Sequence, residues 1–127
     1  MTHPHPSSFG LTVERGPDAV QVRVDGDLDF DNHDELTTLV TWLFTPGAAA
    51  EPPPRWLRLD LAGLRCIDSS GLSALLQIRR SADRLGARLT LEKRPTCVDR
   101  LLDLTGTHEY LTAPVRKSGD QERPGTG

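Results

Sequence analysis

The amino-acid sequence predicts one α/β domain built on a mainly parallel, mixed β-sheet, and three observations carry that prediction. Apolar and polar residues alternate in four short stretches, the period of a half-buried strand. Between these stretches, apolar residues recur at the three-and-four spacing of an amphipathic helix. Turns containing glycine and proline separate the two kinds of segment.

Residues 1–8 hold Met1 as their one apolar side chain and read as a disordered lead. Phe9, Leu11 and Val13 then face one way and Thr12 and Glu14 the other, which predicts a first strand. Gly16-Pro17-Asp18 is a turn signal. Val20, Val22 and Val24 alternate with Gln21, Arg23 and Asp25 in a second strand, so the two should pair as an antiparallel hairpin. Gly26-Asp27-Leu28-Asp29 breaks the alternation.

Leu36, Leu39, Val40, Leu43 and Phe44 lie on one face of a helix. Asn32 with Glu35 three residues later has the form of an N-terminal capping arrangement. The helix stops before Pro46-Gly47, and Pro46 to Pro54, which ends in three consecutive prolines, reads as a surface connection. Trp56 to Leu61 alternates again as a third strand, and Ala62 to Asp68 reads as a connection.

Leu75, Ile78, Ala82 and Leu85 form the apolar stripe of a second helix, widened by Leu72 and Leu76, with Arg79, Arg80 and Arg84 on its solvated face. Gly86 ends it. Leu89 and Leu91 mark a fourth strand. Pro95 opens a third helix at its favoured first position, Val98, Leu101 and Leu102 form the apolar side, and Gly106 closes it. Tyr110 and Leu111 predict a last short strand. The expected order is β-β-α-β-α-β-α, with right-handed crossovers and the opening hairpin as an antiparallel edge. The domain spans residues 9–113, followed by a disordered tail over residues 114–127. Trp42 and Trp56 read as packing residues at the rim of the core.

Composition narrows the function. The 127 residues carry 18 acidic and 15 basic side chains, interspersed, for a formal charge of -3. Nucleic acid calls for clustered cations, so it is not an expected partner. No apolar run approaches the roughly 20 residues that span a bilayer, so no membrane partner is expected either. The N-terminus has no basic start followed by an apolar stretch and does not read as a signal peptide. Cys66 and Cys97 belong to no CxxC and read as reduced thiols packed like small apolar side chains, in a cytoplasmic protein.

The chemistry-bearing stretch is Leu57 to Leu76, in which Asp68-Ser69-Ser70-Gly71 falls where a strand hands over to the second helix. On the local pattern alone, Asp68 and Ser69 are helix caps. A catalytic serine needs a base within hydrogen-bond reach. IDSSGL lacks the G-x-S-x-G elbow, and the histidines (His3, His5, His33, His108) fall in the lead or at surface positions. The sequence therefore predicts no catalytic residue, no cofactor and no metal, since His3-Pro4-His5 has no acid or cysteine at ligand spacing.

Three blocks give the chain its family resemblance. The I-D-S-S-G-L junction, the Val22 to Asp29 stretch (VRVDGDLD) and the Val98 to Gly106 stretch (VDRLLDLTG) occur in the order seen in the STAS-domain anti-sigma-factor antagonists of bacteria, which this chain resembles over residues 9–113. That resemblance implies a STAS fold and partner switching. An anti-sigma factor that is also a serine kinase, of the GHKL ATPase type, would phosphorylate Ser69, with Ser70 as the alternative acceptor. The unphosphorylated chain would bind that partner and free a sigma factor; the phosphorylated chain would let go, and a metal-dependent serine phosphatase would reset it. Asp29, Asp68, Ser70, Gly71 and Leu72 would form the partner surface. The alternative within the fold is a scaffold in a stress-signalling complex, never phosphorylated. The Pro46 to Pro54 connection is longer than the family's usual link.

Overall fold

The structure, a computed structural model, describes residues 9–47 and 52–113. The predicted lead and tail, and the middle of the proline-rich connection, lie outside the described residues. The elements are β1 (Gly10–Arg15), β2 (Ala19–Leu28), α1 (His33–Phe44), β3 (Trp56–Asp60), β4 (Leu64–Ile67), α2 (Ser69–Leu85), β5 (Arg88–Glu92), α3 (Thr96–Thr105) and α4 (His108–Thr112).

The sheet runs β1-β2-β3-β5, with β1 antiparallel to β2 and the other pairs parallel. Val20, Leu57 and Leu89 stand in register across it, as do Val22, Leu59 and Leu91. All six are buried, against α1 through Leu36, Val40 and Leu43 and against α2 through Leu75, Ile78 and Ala82. The alternating residues face the other way and make that surface polar. There the guanidinium groups of Arg58 and Arg88 lie over the Trp56 ring, 5.2 and 4.6 Å from its centre, and the indole N–H donates to Thr90. Trp56 is thus a member of the polar face, while Trp42, on α1, is nearly half exposed.

Two elements differ from expectation. The stretch expected to connect β3 to the second helix contains β4, which pairs in parallel with the far end of β2 and not with β3. Gly26, at φ 96°, makes this possible: its N–H turns to the Gly63 carbonyl at 3.0 Å, and β2 continues through Leu28 beside a new neighbour. Tyr110 and Leu111 form a turn of helix, α4, and not a strand. In a strand these consecutive residues would point to opposite sides. In α4 both turn inward, Leu111 into the core and Tyr110 beneath Arg79.

The second helix also departs from its predicted faces. Arg79 is 1% exposed where a solvated residue was expected, because it lies four residues after Leu75 on the buried stripe. Its guanidinium bridges Asp83 at 3.0 Å, donates to the Ala113 carbonyl at 2.7 Å and covers the Tyr110 ring, which pins α4 to α2. Leu85, expected in the core, is 54% exposed because the helix ends at the next residue, beyond the cover of α1. Cys66 is exposed as well, contrary to a packing role. Pro95 sits at the N-cap of α3 and not in its first turn.

The Arg79 clamp makes a testable difference between neighbours. Arg79→Ala should lose about 3 kcal/mol in urea unfolding, since it strands a partly buried carboxylate. Arg80→Ala, on the exposed side, should stay within about 0.5 kcal/mol of the parent. Equal effects at the two positions would contradict the clamp.

Candidate functional site

Two segments far apart in sequence meet at the end of β2. β4 delivers the chain to Asp68 in extended backbone, and α2 begins at Ser69. The pairing of Leu28 with Ile67 sets the turn after β2, residues 29–32, beside that start. The Asp68 N–H donates to the Leu28 carbonyl at 3.3 Å. Gly71, buried in the first turn of α2, lies so close beneath the same carbonyl that a Cβ there would collide with its oxygen. Helix and strand end touch backbone to backbone, which only glycine permits.

The Asp68 side chain serves both segments. Its Oδ1 accepts from the N–H groups of Ser70 and Gly71 at 2.9 and 3.0 Å, capping α2. Its Oδ2 accepts from the Phe30 N–H at 3.3 Å, across 38 residues of sequence. The turn is held from its own side by Asp29, whose Oδ1 accepts from Asp31 and Asn32 at 3.0 and 3.2 Å. Asp29 thus holds the turn that leads into α1, and the helix has no side-chain cap. The Asn32 side chain makes no cap and donates backwards to the Asp27 carbonyl at 3.0 Å.

The other predicted site residues sort by burial. Ser69 is exposed and Ser70 half-buried. Gly71 contributes backbone only. Leu72, expected on the partner surface, turns into the core at 7% exposure and supports the helix from beneath. Asp29, Asp68, Ser69 and Ser70 are thus brought together, and Leu72 is not part of the surface they form.

Phe30 is the residue that sequence reasoning passed over. Its ring is 73% exposed and tilted toward His33, with centroids 6.1 Å apart. A lone aromatic between two aspartates, in a stretch where alternation fails, cannot belong to a core stripe. That was the available signal. Among the described residues no hydrogen bond joins His33 to Ser69 or Ser70.

Cys66 lies two residues before Asp68, and its thiol donates to Asp27 Oδ1 at 3.4 Å. That hydrogen bond, with lesser help from desolvation and the carboxylate's charge, pushes the thiol up from its ordinary value and keeps it protonated. Among the described residues no three His, Cys, Asp or Glu side chains gather as a metal site. No helix among them is long and apolar enough to cross a membrane.

A model of the STAS domain family matches residues 11–121. No curated protein matches the sequence. Among solved structures, the chain is similar to an anti-sigma factor antagonist from Mycobacterium paratuberculosis at 21% identity, covering 93% of this chain and 94% of that one, with a TM-score of 0.68. It is similar to the Bacillus cell fate determinant SpoIIAA in its phosphorylated form at 18% identity, covering 77% and 85%, with a TM-score of 0.61. A sulfate transporter family protein from Wolinella succinogenes matches at 20% identity, covering 77% and 75%, with a TM-score of 0.63. At these identities the likenesses show the fold.

Two outcomes test the geometry. Gly71→Ala should cost about 2 kcal/mol or more in thermal or urea unfolding, because the carbonyl it meets belongs to a strand and cannot swing aside. Asp27→Asn should let the Cys66 thiol ionise at lower pH and raise its alkylation rate by iodoacetamide near pH 8 about threefold or more. An unchanged rate would mean that Asp27 does not hold the proton.

Proposed function

The chain belongs to the STAS domain family, and from that premise we propose that it is an anti-sigma-factor antagonist whose partner binding is switched by a phosphate on Ser69. In this reading the unphosphorylated chain binds an anti-sigma factor and so releases a sigma factor. The anti-sigma factor is also the serine kinase, of the GHKL ATPase type, and a metal-dependent serine phosphatase restores the hydroxyl. The chain is a binding partner in the cytoplasm and performs no catalysis of its own.

One observation carries the reading. A serine at the start of a helix is ordinarily explained as a cap, yet Asp68 occupies the cap and takes both nearby N–H groups. Ser69 is the first residue of α2 with its side chain in solvent, spared from that structural work. Ser70, half-buried, is the less accessible acceptor. Asp29 serves the same surface indirectly, by fixing the turn that faces it.

The transfer itself is simple in its balance. The Ser69 oxygen attacks the γ-phosphorus of ATP held by the kinase, the bond from phosphorus to the ADP oxygen breaks, and the hydroxyl proton passes to a base on the kinase. The product carries about -1.5 to -2 charges at neutral pH. A helix N-terminus accommodates such an anion, so the fold survives. At a packed interface the same group must be stripped of water. A cost of about 3 kcal/mol there weakens binding about a hundredfold.

Incubation with the cognate kinase and ATP, followed by mass spectrometry, should place phosphate on Ser69. Ser69→Ala should take up no phosphate and bind the regulator as the parent does. Ser69→Asp should keep the parent's circular dichroism and bind about a hundredfold more weakly. Phosphate on Ser70 would move the switch by one residue. No phosphate at either serine would leave the scaffold reading in its place.

A further inference from the structure

The surface around Ser69 is already acidic: Asp31 and Asp68 are exposed and Asp29 half-exposed beside it. A partner complementary to that surface is basic, and general charge repulsion does not explain why one more anion should expel it. The cost of stripping water from the phosphate is one contribution, and the structure offers a second, local one. That second contribution lies in the divided bonding of Asp68, one oxygen on the N–H groups of Ser70 and Gly71 and the other on the N–H of Phe30.

We propose that Phe30 is the aromatic anchor that seats in the regulator, and that phosphate on Ser69 withdraws it by displacing Asp68 from the Phe30 N–H. This rests on the antagonist reading and adds the means by which the switch works. The occupant of the surface is the anti-sigma regulator, presenting an apolar pocket ringed by lysine or arginine. The pocket answers the exposed ring, and the cations answer Asp29, Asp31 and Asp68.

Each step follows from a contact. A phosphate on the first residue of α2 stands beside the same N–H pair that Asp68 now caps. It is the stronger acceptor, since charge-assisted bonds to a dianion exceed those to a carboxylate. The two anions occupy neighbouring residues and repel one another. Asp68 therefore gives up the helix end to the phosphate and turns aside, and its second oxygen leaves Phe30. The turn as a whole does not unravel, because Asp29 holds Asp31 and Asn32 independently of Asp68. What moves is the ring between them. The exposed Phe30 ring is the apolar group amid these carboxylates, and aromatic side chains are enriched at protein interfaces.

The test uses the full chain, unmodified, with phosphoserine at residue 69, and as Asp68→Asn. Asparagine still caps a helix through one oxygen, so α2 is kept. Its amide nitrogen cannot accept from Phe30. Amide exchange followed by NMR on the free protein should show the Phe30 N–H opening about tenfold faster in the phosphorylated and Asp68→Asn chains, with Val22 and Leu59 unchanged. Titration with the regulator should show Asp68→Asn and Phe30→Ala each weakened about tenfold or more, although neither adds negative charge. Phe30 is exposed, so loss of folding is not at issue for that variant. Equal Phe30 exchange with and without phosphate would overturn the proposal, as would parental affinity in Phe30→Ala. The exchange measurement needs no partner. A phosphorylated chain that still binds the regulator at full strength would instead defeat the antagonist reading, whatever Phe30 does.

Discussion

The start of α2 must lie against the end of β2 with no side chain between them. Gly71 meets that requirement, and the Leu28 carbonyl and Asp68 N–H close the contact with a hydrogen bond. Because the approach is backbone on backbone, the helix N-terminus is set by the sheet and not by a mobile loop. The first helical residue then has no choice of position. Ser69 is presented to solvent at a fixed point beside the turn of residues 29–32, and Asp68 joins the two.

That arrangement depends in turn on β2 serving two neighbours. Its first half pairs with β3 inside the sheet. After Gly26 it pairs with β4, whose only onward route is into α2. The G-D-L-D and I-D-S-S-G segments are separated by the whole of α1, the proline-rich connection and β3, yet become one surface because a single strand carries the first and sets the register of the second. Helices α3 and α4 stand outside this unit. They complete the core through Val98, Leu102 and Leu111, and the Arg79 clamp fastens the last of them.

Strands β2, β3 and β5 were legible in the sequence because each buries one face. Val20, Val22 and Val24, then Leu57 and Leu59, then Leu89 and Leu91, declare a period of two that no helix shares. β4 was not legible, since a four-residue strand with Arg65 and Cys66 exposed presents no alternation to read. α4 was missed for a related reason: two adjacent apolar residues suit a strand end or a single helical turn equally. Arg79 misled because charge was weighed above spacing, although its place after Leu72 and Leu75 already put it on the buried stripe. At the site, the residue types of the junction pointed to a cap, and the family resemblance alone pointed to a phosphate acceptor. Only the folded structure shows that Asp68 takes the cap while Ser69 stays exposed, and draws Phe30 into the same surface.

The account stands on the α2 N-terminus being the centre of the partner interface and not merely near it. A structure of the chain bound to the proposed regulator measures that directly. Ser69 and the Phe30 ring should both lose their solvent exposure on binding, with the ring in an apolar pocket and the serine oxygen facing the regulator's nucleotide site. A complex in which residues 29–32 and the first turn of α2 stay open to water, while some other face of the domain is covered, would contradict it.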